Sequence, residues 1–397
     1  MKNLIKKLSS TNISKTYMFI LLGVSALMMV GYFSYAWFTV QGVQKYSVVT
    51  GNLTGTLAIG SNTANINGAG VIEYTPSTNN DTLTVTVTNS SDRTVKNSLY
   101  YYTLSDSSIN IGYESDSPTI PSIAGVSVDK GKSLTYKIKI AGANGKTIRI
   151  GSSMGLVNSN LTLPSGASAL EQFDQTVSRT LLAGVGNNGT IDTTDPEQTF
   201  ITGTDPNNYI WYSGKLWRAV SIDPSDNSVK LVTQWNISAF PYNASGNTAF
   251  QGSHMEQWLN DTSVDGFLGN LREPDKFIKK DSVWNATMTT ETTKPEKTTM
   301  VTDAVGLLNI YEYTMSYKNA SSSTGYLNNG LSWWTLTPYS ASSVRDVNYD
   351  GNGYYNGPSY SIGSRPSINL KSAVKIIDGD GTVDNPYRLQ GDNDNPT

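Results

Sequence analysis

The sequence predicts a mainly β protein with one transmembrane helix: an N-terminal β-sandwich followed by an α+β domain. Three observations carry this reading. Residues 16–44 hold no charged side chain and follow a stretch in which Lys2, Lys6, Lys7 and Lys15 stand without an acid. Residues 46–164 alternate apolar and polar side chains in short runs broken by turn clusters. From residue 207 onward, aromatic-rich runs separated by Gly- and Asn-rich turns frame one short amphipathic segment.

The apolar run from Tyr17 to Phe33 is long enough to cross a hydrocarbon core of about 30 Å as a helix, and the lysine excess holds its N-terminus inside. Residues 1–15 therefore read as a basic cytoplasmic segment, 16–38 as a transmembrane or signal helix, and the body of the chain as extracellular. Ser34-Tyr35-Ala36 places small residues three and one before a signal-peptidase cut. Cleavage after Ala36 would release a chain beginning at Trp37. The apolar run is longer than an ordinary signal core, which favours retention. Two localisations follow: a single-pass protein of the cell membrane, or a secreted protein if the leader is cut.

Composition narrows the function classes. The chain has 397 residues, 38% of them hydrophobic, enough for two or three packed domains. Charged residues are only 15%, against roughly a quarter in an average soluble domain, which suits β-rich extracellular modules. A net charge of −3 with scattered Lys and Arg gives no footprint for nucleic acid. No cysteine is present, so an exported body would be held by burial and hydrogen bonds, as on a Gram-positive surface.

In Thr82–Thr88 and Leu134–Ile140 apolar residues alternate with Thr or Lys, the mark of half-buried strands. Turn clusters such as Asn89-Ser90-Ser91-Asp92 and Lys130-Gly131-Lys132 separate further strands, including Ser98–Leu104 and Lys146–Ile150. No repeat of 20–50 residues is visible, so residues 46–164 read as a sandwich rather than a propeller or solenoid. Residues 165–206, rich in Gly, Asn, Asp and Thr, read as a linker or domain edge. The second domain, 207–389, opens with aromatic flanks around Ser213-Gly214, a hairpin signal, and turns again at Asp223–Asn227. Ser253 and Glu256 form a capping box before Met255, Trp258 and Leu259, which share one helical face. Residues 390–397 have nothing to bury and read as a disordered tail.

The segment Tyr35-Ala36-Trp37-Phe38-Thr39 resembles the export signals of camelysin and TasA-like biofilm-matrix proteins of Bacilli. Farther on, Leu216-Trp217-Arg218, Gln257-Trp258-Leu259-Asn260, Tyr311-Glu312-Tyr313-Thr314, Gly330–Pro338, Val347–Tyr355 and Gly363–Leu370 occur in order. Together they resemble a domain of bacterial, Firmicutes-like surface proteins with a C-type-lectin-like fold, related in architecture to formylglycine-generating enzymes. The resemblance implies that fold for residues 207–389. It also implies that the loop region around residues 348–360 presents variable contacts. Asp378, Asp380 and Asp384 lie in a segment similar to a recurring terminal element of such proteins, a turn-rich clasp that needs no metal.

The candidate ligand-binding residues are Asn348, Tyr349, Asn352, Tyr354, Tyr355, Asn356 and Tyr360, with one of Trp333 and Trp334. Tyrosine gives large rigid contact area while Asn, Ser and Gly adapt, the composition of recognition loops. A plain hairpin turned at Asp350-Gly351 with aromatic cross-strand pairs is the alternative reading of that stretch. Adjacent tryptophans point to opposite sides of a strand, so either one enters the core while its neighbour faces a loop or the surface, or long connections of the fold cover both. Arg365 is expected as a structural fork tying the last strand to a loop, with Glu312 as a carboxylate partner.

No cofactor is expected. Asp346, Asn348, Asp350 and Gly351 match the first half of a calcium loop, but Gly357 stands where the bidentate glutamate belongs, which leaves only weak calcium candidates. An enzyme is not expected. The only histidine is His254, the thiols of formylglycine-generating relatives are absent, and Glu256 with Asp261 or Asp265 has no spacing that forces a catalytic pair. A carbohydrate-active enzyme dependent on Glu312 is the enzymatic alternative. The sequence is thus read as a membrane-anchored surface protein whose lectin-like head binds an extracellular glycan or protein. A secreted fibre or matrix subunit that self-associates after cleavage is the runner-up.

Overall fold

The computed structural model describes residues 43–50, 53–60, 64–102, 109–114, 117 and 124–392. The predicted leader, with Ser34 and Ala36, lies outside the described residues. Among those described, no helix is long and apolar enough to cross a membrane. The protein is mainly β, as predicted, and divides into two compact units with a boundary between Phe173 and Asp174.

The first unit contains β1 (Val43–Thr50), β2 (Leu53–Gly60), β3 (Ala64–Ile66), β4 (Ile72–Tyr74), β5 (Asn80–Asn89), β6 (Val95–Tyr102), β7 (Asn110–Tyr113), β8 (Val126–Val128), β9 (Ser133–Ala141), β10 (Ile148–Leu156) and β11 (Ala167–Ala169). They form a five-stranded sheet, β1-β2-β5-β9-β7, and a six-stranded sheet, β11-β6-β10-β4-β3, with β8 also paired to β6. The alternation read from the sequence sets the inner face. Leu83, Val85 and Val87 of β5 are buried opposite Ile138, Tyr136 and Leu134 of β9, while Thr86 meets Thr135 on the outer face at 3.1 Å. The Tyr136 hydroxyl donates across the interior to Asn97 Oδ1 at 2.7 Å, joining the two sheets through a buried polar contact.

The second unit begins with α1 (Val177–Ala183), β12 (Gly189–Asp192), β13 (Thr199–Gly203), β14 (Tyr209–Tyr212), β15 (Lys215–Ile222), β16 (Val229–Thr233) and β17 (Ser238–Pro241). Next come α2 (His254–Asn260), α3 (Pro274–Phe277), β18 (Ser282–Asn285), β19 (Met300–Asp303), β20 (Val305–Gly306) and α4 (Ile310–Ser316). It closes with β21 (Trp333–Ser340), β22 (Ser343–Val347), β23 (Gly353–Asn356), β24 (Ser361–Ser364), β25 (Ser367–Leu370), β26 (Ile376–Asp378) and β27 (Tyr387–Leu389). A nine-stranded sheet runs β20-β25-β16-β15-β14-β27-β26, with β12 and β13 joined to it through β15. A five-stranded sheet runs β17-β24-β21-β22-β23, and β18 pairs β19 alone.

Local signals placed several of these elements. Ser213 and Gly214 both have positive φ, 54° and 68°, the twist a two-residue hairpin between β14 and β15 demands. Helix α2 starts at its predicted cap: Glu256 N–H donates to Ser253 Oγ at 3.0 Å, and Met255 and Leu259 are buried. β27 returns to pair in parallel with β14, and the Asp378–Asp384 stretch turns on local bonds such as Thr382 N–H to Asp380 Oδ1.

Two readings of chain organisation change. Residues 165–206, expected as a linker or domain edge, contain the unit boundary but also β11, α1, β12 and β13. Phe200, Ile201, Val177 and Leu181 in that stretch bury apolar side chains that turn-rich neighbours concealed in the sequence. Residues 390–392, expected within the disordered tail, are held by hydrogen bonds, and 393–397 lie outside the described residues. Gln390 N–H donates to the Lys375 carbonyl, and buried Asp392 takes Arg272 Nη1 at 2.9 Å and Ser213 N–H at 2.9 Å. An acid with two such donors holds the chain down through residue 392.

Candidate ligand-binding surfaces

Strands β22 and β23 form the hairpin that turns at Asp350-Gly351. Gly351 has φ 84°, and a Cβ there would stand 2.2 Å from the Ser322 carbonyl oxygen, so glycine is required both for the turn and for the close approach. Tyr313 OH donates to the Gly351 carbonyl at 2.5 Å, pinning the turn to α4. The plain-hairpin reading therefore describes the backbone. It does not exclude a surface role, because β23 is an edge strand whose side chains stand outward.

The predicted tyrosines are exposed: Tyr349 is 67% exposed, Tyr354 53%, Tyr355 44% and Tyr360 63%. Tyr339 of β21 and Tyr355 lie face to face, 4.0 Å between ring centroids and 4° from parallel. Tyr354 continues the stack at 5.4 Å and 9°. The Arg345 guanidinium sits 4.9 Å from the Tyr339 ring centroid. A cation over one ring and parallel faces beyond it make a rigid aromatic row. Tyr339 and Arg345 were not singled out from the sequence; the cross-strand register of Arg345 with Tyr355 brings them into the row.

The asparagines divide. Asn352 is exposed and donates to Asp350 Oδ2 at 2.9 Å, while Asn356 Nδ2 turns inward to Asp346 Oδ1 at 3.1 Å. Asn348 Oδ1 accepts from Ser332 Oγ at 3.0 Å. The weak calcium candidates Asp346, Asn348 and Asp350 each bond a different neighbour, Asp350 accepting from Asn352 N–H, and Asp346 is buried on β22. Burial lifts the Asp346 carboxyl to about 6, although the Asn356 hydrogen bond opposes the shift. Among the described residues no group of three or more acids, His or Cys could hold a metal ion.

Of the two tryptophan readings, the covered pair is the one found, and the binding role of Trp333 or Trp334 is corrected. Trp333 and Trp334 are both 0% exposed, so neither is a surface platform. β21 has strands on both sides and a hydrophobic cluster on each face, which takes up both of the opposed rings. Among the described residues the exposed tryptophan is Trp235, 54% exposed, on a loop that reaches Ser332 through Asn236 Nδ2 at 3.0 Å. Leu331, 43% exposed, adjoins Ser332, and Tyr349 N–H donates to Ser332 Oγ at 3.1 Å. A second apolar group thus sits on loops tied to the hairpin turn. An isolated Trp after a strand gave no periodicity from which to foresee it.

Arg365 is a structural fork, with a different partner from the one expected. Its Nε donates to the Thr233 carbonyl at 2.9 Å and its Nη1 to the Leu327 carbonyl at 2.6 Å, beneath the Trp333 ring at 4.8 Å. Burial lowers its pKa. Glu312 instead pairs with Lys230 and completes a reciprocal capping box with Asn309: Glu312 N–H donates to Asn309 Oδ1 at 2.9 Å and Asn309 N–H to Glu312 Oε2 at 3.0 Å.

That Lys230–Glu312 pair lines a separate polar cleft of about 630 Å³, with Gln198, Asn285, Asn369 and Tyr311 among its walls. Gln198 Nε2 donates to Glu312 Oε1 at 3.3 Å, and Lys230 Nζ lies 4.9 Å from the Trp284 ring centroid. The residues come from segments far apart in sequence, so no local motif announced the cleft. A carboxyl beside Glu256 is Asp303, raised to about 6 first by burial and then by Glu256.

Residues 226–372 match a family model described as a domain of unknown function (DUF6273). The match opens in the turn before β16 and closes just after β25, so it spans the tyrosine row and the Lys230–Glu312 pair. No curated protein and no solved structure matches the chain.

Proposed function

We propose that the protein is exported and anchored at the cell surface, and that its second unit, a C-type-lectin-like head, binds an extracellular glycan or protein through the tyrosine hairpin. The observation that carries this reading is the parallel row in which Tyr339 of β21 stacks on Tyr355 and Tyr354 of the exposed edge strand β23. Rigid tyrosine faces supply contact area at small entropic cost, and the exposed Asn352 supplies adaptable polar contact beside them. Binding, not turnover, is the role these groups suit.

The test is binding of the folded chain to immobilised cell-surface glycan and surface-protein fractions. The variant Tyr354→Ala with Tyr355→Ala is expected to lose binding while its circular dichroism stays unchanged; undiminished binding removes the hairpin from consideration. Cell fractionation with N-terminal sequencing tests the anchor. Intact Met1 in a membrane fraction is the expected result, whereas a start at Trp37 with concentration-dependent polymers supports a fibre subunit instead.

A further inference from the structure

We propose that the polar cleft beside Lys230 and Glu312 is a second binding site, taking a segment of neutral, hydroxyl-rich oligosaccharide. The argument begins with its charges. Lys230, Lys279, Lys294 and Lys297 line it, and each already has an acid: Lys279 reaches Asp226 at 2.7 Å, Lys294 reaches Asp195 at 2.6 Å and Glu197 at 2.7 Å, and Lys297 reaches Glu197 at 2.7 Å. Lys230 is held by Glu312 at the base. An ionic ligand would have to break one of these pairs to gain a contact, and neither sign is left in excess to attract it.

A ligand of hydroxyl groups meets the opposite situation. Ammonium and carboxylate groups committed to one another still have spare donors and lone pairs, and Ser225, Asn285 and Tyr311 add neutral polar groups to the wall. The Asn369 side chain and the Ser228 hydroxyl also line the cleft, the latter bonded to the Asp226 carboxylate. The frame is fixed in advance: Tyr311 OH donates to Asp195 at 2.9 Å, and Ser221 Oγ donates to Gln198 Oε1 at 3.1 Å. Pre-ordered donors and acceptors in a recess of about 630 Å³ reduce what a flexible sugar chain must offset on binding.

Titration calorimetry of the folded chain with N-acetylchitotetraose, cellotetraose and maltotetraose tests this, with tetragalacturonate as the anionic control. At least one neutral tetrasaccharide should bind at millimolar concentration or below. Ser225→Trp, which fills the mouth from an exposed turn, should weaken it by about tenfold or more, equivalent to 1.4 kcal/mol. Asn369→Ala should weaken it with an unchanged melting temperature, and Tyr354→Ala should leave it unaltered. Absence of neutral binding, binding of tetragalacturonate alone, or full binding by both cleft variants overturns the proposal. Because Tyr354→Ala reads the hairpin independently, failure at the cleft is distinguishable from failure of the tyrosine surface.

Discussion

Trp333 and Trp334 are consecutive in one strand yet belong to different hydrophobic clusters, Trp333 with Tyr313 and Val347, Trp334 with Tyr242 and Leu336. The strand separates the two clusters, and each ring closes one of them. Trp333→Ala and Trp334→Ala should each destabilise the second unit by about 3–5 kcal/mol through the cavity left behind. Chemical unfolding measures this. A cost under about 1 kcal/mol for either variant would show that its ring is not packed as described.

The buried pair Lys230–Glu312 makes a different prediction. Lys230→Met leaves the Glu312 carboxylate without its cation and should cost about 3–5 kcal/mol, while adding Glu312→Gln to it should recover a substantial part. Denaturant midpoints of the single and double variants form the comparison. If the double variant is less stable than the single, the capping bonds of Glu312 outweigh the pair.

Asp346 gives a pH dependence with a definite sign. Its carboxyl is raised to about 6, so between about pH 4 and 6 the folded chain keeps a proton that the unfolded chain has lost. The stability this proton contributes is therefore present at low pH and is lost as pH rises through 6. Asp303, also raised to about 6, acts in the same direction. Asp346→Asn removes the buried charge and keeps a carbonyl for Asn356. Relative to the wild type it should gain on the order of 2 kcal/mol between pH 4 and pH 7, seen in thermal unfolding. An equal difference at both pH values would contradict the assignment.

At the hairpin turn, Gly351→Ala imposes both a disfavoured φ and a clash with the Ser322 carbonyl. The loss should exceed about 1 kcal/mol. Amide exchange should show faster opening at Asn348 and Asn352, whose backbone groups bond across the turn at 2.9 Å, before global unfolding. Unchanged exchange there would mean that the turn relaxes without cost.

Features carried by neighbouring residues were readable directly. The threonine alternation of β5, the Ser213-Gly214 turn, the Ser253 cap and the Asp350-Gly351 hairpin each depend on bonds made within a few residues. What was misread depends on residues distant in sequence. Arg365 answers to the carbonyls of Thr233 and Leu327, and the cleft draws Gln198, Lys230, Lys294 and Glu312 from four separate segments. The Arg365–Glu312 pairing had reasonable charges but no geometric constraint, and Lys230 took the carboxylate instead.

By itself the sequence determined a mainly β body with its turns, its helix start and an exposed tyrosine-rich hairpin, because backbone periodicity and turn stereochemistry act over a few residues. Only the tertiary structure decided that both tryptophans are covered, that Tyr339 completes the aromatic row, and that lysines and acids from remote segments enclose a cleft. Strand order and layering set those outcomes: which face of a strand is covered depends on what the rest of the chain lays against it.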